Sequence, residues 1–240
     1  MNVPASQPGS DPSVRAVAAL DDELRQRIYG FIRDSGVAVT REQVGAAVGI
    51  SRKLAAFHLD KLVEVGLLQA ADAPAGGIAR VGRRPKVYRP TDLDVRVAIP
   101  ARQHDELADV LIDAVLTQAE GEHAWHAALR VAGQRGYELG TATRERTRPG
   151  RLGADRTLAL AETALRQWGF EPTRPTPGRI RLRNCPFHPL ATKAPALVCG
   201  INHAFLTGFL TGLNTSGVDA VLDPAAGECC VELRAAPAAG

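Results

Sequence analysis

The chain has 240 residues, 45% of them hydrophobic, and a formal net charge of +3; that is enough apolar material for one large or two ordinary cores, and it excludes a wholly disordered chain. The small net charge hides a division: residues 78–90 carry Arg80, Arg83, Arg84, Lys86 and Arg89 and no acid, whereas residues 103–122 carry Asp105, Glu106, Asp109, Asp113, Glu120 and Glu122 and no Lys or Arg. The first segment suits a polyanion and the second does not.

Residues 1–14 mix Pro, Ser, Gly and Asn with no basic stretch leading into an apolar one, so they read as a disordered lead-in and not as a signal peptide. Leu20, Leu24, Ile28, Phe31 and Ile32 then recur at helical spacing and predict one helix over 16–33. Thr40 with Gln43 three residues on is a capping-box pattern that opens a second helix through Val48. Gly49 can end it in the left-handed conformation, Ile50 can plug the core, and Ser51 can cap a third helix to about Val65. This is helix-turn-helix spacing. On the third helix Leu54, Phe57, Leu62 and Val65 are expected to face the core, leaving Ser51, Arg52, Lys53, Ala56 and Asp60 toward solvent, where a DNA groove would be read. Leu67 and Leu68 begin a strand, Gly76-Gly77 allow a turn, and the chain returns through Val81 to Arg89 as a basic wing, placing Arg80, Arg83, Arg84 and Lys86 against a DNA backbone. His58, alone on its helix, reads as a packing or phosphate-contacting residue.

The run Gly-Ile-Ser-Arg-Lys-Leu-Ala-Ala-Phe-His-Leu-Asp-Lys-Leu-Val-Glu-Val-Gly-Leu-Leu, followed by Gly-Arg-Arg-Pro-Lys-Val-Tyr-Arg, resembles winged-helix repressors of the ArsR and DeoR kind. The resemblance covers about a third of the chain and implies a dimer on a partly symmetric operator of double-stranded DNA.

Between Asp94 and Ile99 apolar residues alternate in the manner of a short strand closed by Pro100. Leu107, Val110, Leu111, Ala114 and Val115 form one helical stripe, and Trp125, Ala128, Leu129 and Ala132 another, facing either each other or a dimer axis. Arg144, Arg146, Arg148 and Arg151 form a second basic run, read as a solvated loop. His123 and His126 stand three apart and read as surface residues. An amphipathic helix over 155–169 leads into a small α/β region: a strand at Ile180–Leu182, a turn over 184–189, a helix from Pro195 to Leu213, and strands at Val218–Leu222 and Cys229–Leu233. The Pro195–Leu213 stretch contains Asn202, His203, Thr207 and Thr211, which are costly in hydrocarbon, so no membrane partner is expected and a cytoplasmic protein is.

The expected fold class is α+β: a winged helix-turn-helix over 15–92, a helical linker or dimerisation region over 93–150, and a small α/β sensor domain over 151–235. All four cysteines fall in the last region, at Cys185, Cys199, Cys229 and Cys230, which in a cytosolic protein argues for metal or redox chemistry over a disulfide scaffold. Zinc lacks a Cys-x-x-Cys knuckle here, and adjacent strand residues point to opposite faces, so one of Cys229 and Cys230 is the expected ligand. Three thiolates from distant elements suit a [4Fe-4S] cluster, with His188, Asn184 or an outside ligand at the fourth corner; zinc or no metal are the alternatives. Buried cysteines acting as small hydrophobes are the plain alternative, and His203, one turn beyond Cys199, reads as a buried hydrogen-bonded residue.

Arg-Asn-Cys-Pro-Phe-His, Leu-Val-Cys-Gly-Ile-Asn and Gly-Glu-Cys-Cys-Val behind a winged helix resemble SufR-type repressors of iron-sulfur assembly operons. That resemblance implies a homodimer with a [4Fe-4S] cluster in each C-terminal domain, ligated by Cys185, Cys199 and one of Cys229 or Cys230, with Cys230 preferred; holo-protein would repress and cluster loss relieve repression. The same C-terminal pattern is similar to vinyl-reductase-type small-molecule-binding domains. The competing expectations are a zinc, thiol-redox or small-molecule-responsive regulator and, from another class, a cysteine-dependent enzyme with an accessory DNA-binding domain. Neither a Ser-His-Asp pattern nor a phosphate loop supports an enzyme.

Overall fold

The computed structural model describes residues 12–73, 84–150, 152–225 and 227–236. The chain is mixed α+β with two small antiparallel sheets, and it divides into two compact units, Met1–Val97 and Ala98–Gly240.

The first unit begins with α1 (Pro12–Ala19) and α2 (Glu23–Ser35), where the sequence predicts one helix. The break has a local cause: the Asp22 side chain accepts the Arg25 amide at 2.9 Å and caps α2, and that bond holds the Asp22 carboxyl below its ordinary pKa. Helix α1 also takes residues 12–14 out of the expected lead-in, whose first eleven residues lie outside those described. Strand β1 (Val39–Thr40) runs into α3 (Arg41–Val48) through the expected capping box: Gln43 N donates to Thr40 Oγ1 at 3.3 Å, and Gln43 Oε1 accepts from Thr40 N at 2.8 Å. After Gly49 in the left-handed region (φ 75°) comes α4 (Arg52–Glu64), then β2 (Leu68–Asp72) and β3 (Lys86–Pro90). The sheet order is β1-β3-β2, all antiparallel. Ile28, Ile32, Val44, Leu59, Leu62, Leu68 and Tyr88 form its core. The strand expected over 94–99 is absent: residues 93–98 have no regular pairing, although Val95 still packs on this core.

The second unit contains α5 (His104–Leu116), α6 (Ala124–Thr147), α7 (Ala154–Gln167), β4 (Pro172–Thr176), β5 (Arg179–Leu182), α8 (Leu190–Lys193), α9 (Pro195–Gly212), β6 (Val218–Leu222) and β7 (Val231–Ala235). The sheet order is β4-β5-β7-β6. Strand β4 carries Pro172 and Pro175, which hide it from a sequence reading; both are tolerated because β4 is an edge strand. Ile180, Leu182, Val231 and Leu233 point into a core shared with α7 and α9, where Trp168 meets Phe205 and Phe209 edge-on at 5.1 and 4.9 Å between centroids. The alternate residues Arg179, Arg181 and Arg234 converge on buried Glu232 and on Asp223.

Helices α5 and α6, from the region expected to link or dimerise, thus belong to the same unit as the cysteines. Their seam buries Leu107, Val110, Ala114, Ala127, Ala128, Val131 and Ala132, but Val115 is 69% and Trp125 39% exposed, outside the stripes assigned to them. Helix α6 meets α9 backbone to backbone. A Cβ on Gly136 would run into the Phe205 carbonyl oxygen and one on Gly208 into that of Gly133, so only glycine permits this approach. The expected loop at Arg144 and Arg146 is instead the last turns of α6, and Arg144 donates to the Leu213 carbonyl at 2.8 Å, satisfying an orphan acceptor at the end of α9. Among the described residues no helix is long and apolar enough to cross a membrane.

Candidate nucleic-acid interface and cysteine site

In the first unit the turn Gly49-Ile50-Ser51 places α4 directly behind α3. Ile50 N donates to the Gly45 carbonyl at 2.9 Å, and Ser51 Oγ accepts from Leu54 N at 3.2 Å, so Ser51 acts as the helix cap. Arg52 and Lys53 follow, both exposed as expected. Sequence reasoning missed that Arg52 Nε lies 2.7 Å from Glu42 Oε1 on α3.

The inward face of α4 differs from the expectation. Ala55, His58, Leu59 and Leu62 are buried, while Leu54 is 40% and Phe57 55% exposed and Ala56 is half-buried. Choosing the largest apolar residues as the core stripe misplaced it, because small Ala55 and polar His58 take inward positions. The open face of α4 therefore carries Arg52, Lys53, Leu54, Phe57 and Asp60. His58 is buried with Nδ1 unpartnered, and its ring meets Phe57 edge-on at 5.2 Å.

Strands β2 and β3 form a hairpin beside this helix pair, with Arg84, Lys86 and Arg89 exposed on its returning arm. Arg80, Arg83, Val81 and the Gly76-Gly77 turn lie outside the described residues.

In the second unit, residues 184–189 fold into a tight turn. Asn184 Nδ2 donates to the carbonyls of Gly169 and Ala101 at 2.6 and 3.1 Å, and Asn184 Oδ1 accepts from Arg102 at 2.7 Å. Asn184 is thus occupied in anchoring the turn. The turn is closed by the His188 amide, which donates to the Cys185 carbonyl at 3.1 Å, and Arg102 is near enough to Cys185 to act on it electrostatically. Cys185 and the buried free thiol Cys229 pack in the same core. The influence of Cys229 holds the Cys185 thiol low, at about 7, despite partial burial, and Cys229 is pushed up by Cys185 and by its own burial. Asn202 Nδ2 donates to Cys229 Sγ at 3.2 Å, and Asn202, 1% exposed, leaves its Oδ1 without a partner.

Cys199, one helical turn before Asn202 on α9, is joined to Cys230 by a disulfide with Cα atoms 6.1 Å apart. Of the adjacent pair expected to supply one ligand, Cys230 is in the disulfide and Cys229 is a buried free thiol; both precede β7, which begins at Val231. His188 is exposed in the same turn, and His203 Nε2 lies 3.0 Å from the Ala220 carbonyl oxygen, as expected for a hydrogen-bonded histidine.

The four cysteines fall as one disulfide, Cys199–Cys230, and two free thiols, Cys185 and Cys229. Among the described residues, no three His, Cys, Asp or Glu side chains are arranged to hold a metal ion. The signal for Asn202 was available in the sequence as a polar residue one turn after Cys199 in an otherwise apolar helix. No protein-family model matches the chain, and no curated protein matches it.

Proposed function

We propose that the chain is a DNA-binding transcriptional regulator, a repressor acting in the cytoplasm, whose first unit is a winged helix and whose cysteine corner responds to redox or iron-sulfur status. The observation that carries this reading is the exposed, cation-bearing start of α4, capped by Ser51 and set behind α3 beside an antiparallel hairpin. In that geometry α4 enters the major groove of double-stranded operator DNA, with Arg52 and Lys53 at phosphates or base edges, Ser51 at the backbone, and Arg84 and Lys86 along the flanking strand. Arg80 and Arg83 extend the same basic run. A second copy of the chain is the proposed partner, and the exposed Ile112, Val115 and Leu116 on α5 offer it an apolar row.

With the Cys199–Cys230 bond reduced, Cys185, Cys199 and one of Cys229 and Cys230 would hold the [4Fe-4S] cluster. Such a cluster supplies an electron-accepting, oxidant-labile centre. The chain's own part is to keep these sulfurs together: the Asn184 turn fixes Cys185, Asn202 donates to Cys229, and α9 fixes Cys199.

Selection from a random duplex library, followed by fluorescence anisotropy across a salt series, tests the DNA reading. A recurrent two-fold motif with steeply salt-dependent affinity is expected; no enrichment overturns it. Anaerobic reconstitution with iron and sulfide, followed by absorption spectroscopy and iron analysis, tests the cluster. A colourless protein overturns that part alone.

A further inference from the structure

Residues 101–104, which lead from an irregular stretch into α5, are bonded to both sides of Cys185. On one side Asn184 donates from Nδ2 to the Ala101 carbonyl at 3.1 Å and accepts from Arg102 at 2.7 Å. On the other, the Pro186 carbonyl accepts the Gln103 amide at 2.9 Å, and the His188 carbonyl oxygen lies 3.0 Å from His104 Nε2. We propose that these four contacts are a clasp through which the cysteine turn sets the length of the tether to the first unit, and with it the affinity for DNA. This rests on the regulator reading and names its regulation.

Three features give the clasp its effect. Asn184 is 8% exposed, and its second Nδ2 hydrogen goes to the Gly169 carbonyl at 2.6 Å, so the clasp is pinned to the end of α7 and both amide hydrogens are spent. Helix α5 begins at His104 without a capping side chain, so the turn and not a local cap holds its first residues in place. Cys185 stands between the bonded residues of its own turn. It cannot shift without stretching at least one of these bonds.

The tether is fastened at its other end as well: the Thr91 amide donates to the Leu67 carbonyl at 3.2 Å, and Val95 packs on the core of the first unit. Five residues, 96–100, stand between Val95 and Ala101. Release through Gln103 makes them eight, 96–103, and adds about 10 Å of reach in extended chain. For a dimer on two half-sites, a longer tether dilutes the second DNA-binding unit around the first, and affinity falls. The coupling is reciprocal: if the turn holds the tether, loosening the tether side loosens the turn.

The test compares the full chain with Arg102→Ala by hydrogen–deuterium exchange, by the rate at which iodoacetamide alkylates Cys185, and by anisotropy on duplexes carrying one or two half-sites of the selected motif. In the variant the amides of Gln103 and His188 should both exchange about two- to tenfold faster, the factor that one hydrogen bond contributes. Cys185 should alkylate faster too. Affinity should fall at least about fivefold on two half-sites and stay unchanged on one. Unchanged exchange at either amide, or unchanged alkylation, overturns the clasp. Equal loss on both duplexes overturns it as well, since that marks Arg102 as a phosphate contact, and so does no loss on either. His104→Phe cuts a different contact of the clasp and repeats every reading if Arg102→Ala folds poorly. If no duplex is enriched while Gln103, His188 and Cys185 still respond together, the regulator reading is overturned and the link between turn and tether stands.

Discussion

Arg52 Nε lies 2.7 Å from Glu42 Oε1, so the first cation of α4 is held by an acid of the preceding helix. Both side chains are about half exposed or more, and an ion pair of that kind contributes about 0–1 kcal/mol to stability. In the proposed regulator its larger effect would be on recognition, because Arg52 would exchange a carboxylate for a phosphate or a base edge on docking. Arg52→Ala together with Lys53→Ala should weaken operator binding by about 1–3 kcal/mol for each base edge no longer read, and should flatten the salt dependence by about one unit for each phosphate no longer neutralised. Glu42→Gln should tighten binding, since the competitor is removed. Anisotropy titrations with a selected duplex read both, and unchanged affinity in the double variant would take these cations out of the interface.

Phe57 stands on the open face of α4, 55% exposed, where its ring can meet a thymine methyl. Phe57→Ala should leave thermal stability within about 0.5 kcal/mol, as surface changes do, and should reduce the preference for the selected operator over random duplex. Melting curves beside competition binding separate the two effects. A large loss of stability would mean that Phe57 belongs to the core.

Gly136→Ala should disrupt the α6–α9 seam, because the added methyl meets the Phe205 carbonyl, which as backbone cannot rotate away. Overpacking of this kind costs about 1–3 kcal/mol or more. Gly30→Ala on α2 is the matched control. A Cβ there meets nothing within 4 Å, and replacing a helical glycine should stabilise by about 0.5–1 kcal/mol. Opposite shifts of thermal midpoint are the expected outcome.

Cys185 should titrate near 7, so its alkylation by iodoacetamide should rise through about pH 7, well before an ordinary thiol. Above that value the thiolate dominates; below it the reaction slows. Cys229→Ala removes the donor that holds the proton balance and should move the midpoint upward. Rates followed by mass spectrometry from mildly acidic to alkaline pH decide it.

Several elements were legible because they are written in local chemistry. Thr40 with Gln43, Gly49, and Ser51 mark helix ends through backbone hydrogen bonds that need no tertiary partner, and all three act as expected. The cysteines were legible as a cluster. Their pairing was not, since which sulfur meets which depends on how Asn184 and Asn202 set the turn and α9 against the approach to β7. Core faces were harder than helix ends. Leu54, Phe57 and Val115 look like core by size yet are exposed, while Ala55 and His58 take the inward positions on α4. Edge strand β4 carries no hydrophobic alternation to read, and the break at Asp22 depends on one capping bond inside a continuous apolar pattern.

The glycine contact between α6 and α9 bears on how the second unit can move. Most helix pairs meet through layers of side chains, and small shifts are absorbed as those chains change rotamer. Here, at Gly136, Gly140, Gly208 and Gly212, backbone rests against backbone, so that cushion is missing over this part of the crossing. The two helices behave as one stiff bar. Helix α6 has 24 residues, about 36 Å at 1.5 Å per residue. On the proposed redox reading, a tilt of α9 that began at Cys199 when its sulfur changed partner would be carried to α6, so that chemistry on a single atom would be expressed as displacement over the length of a long helix.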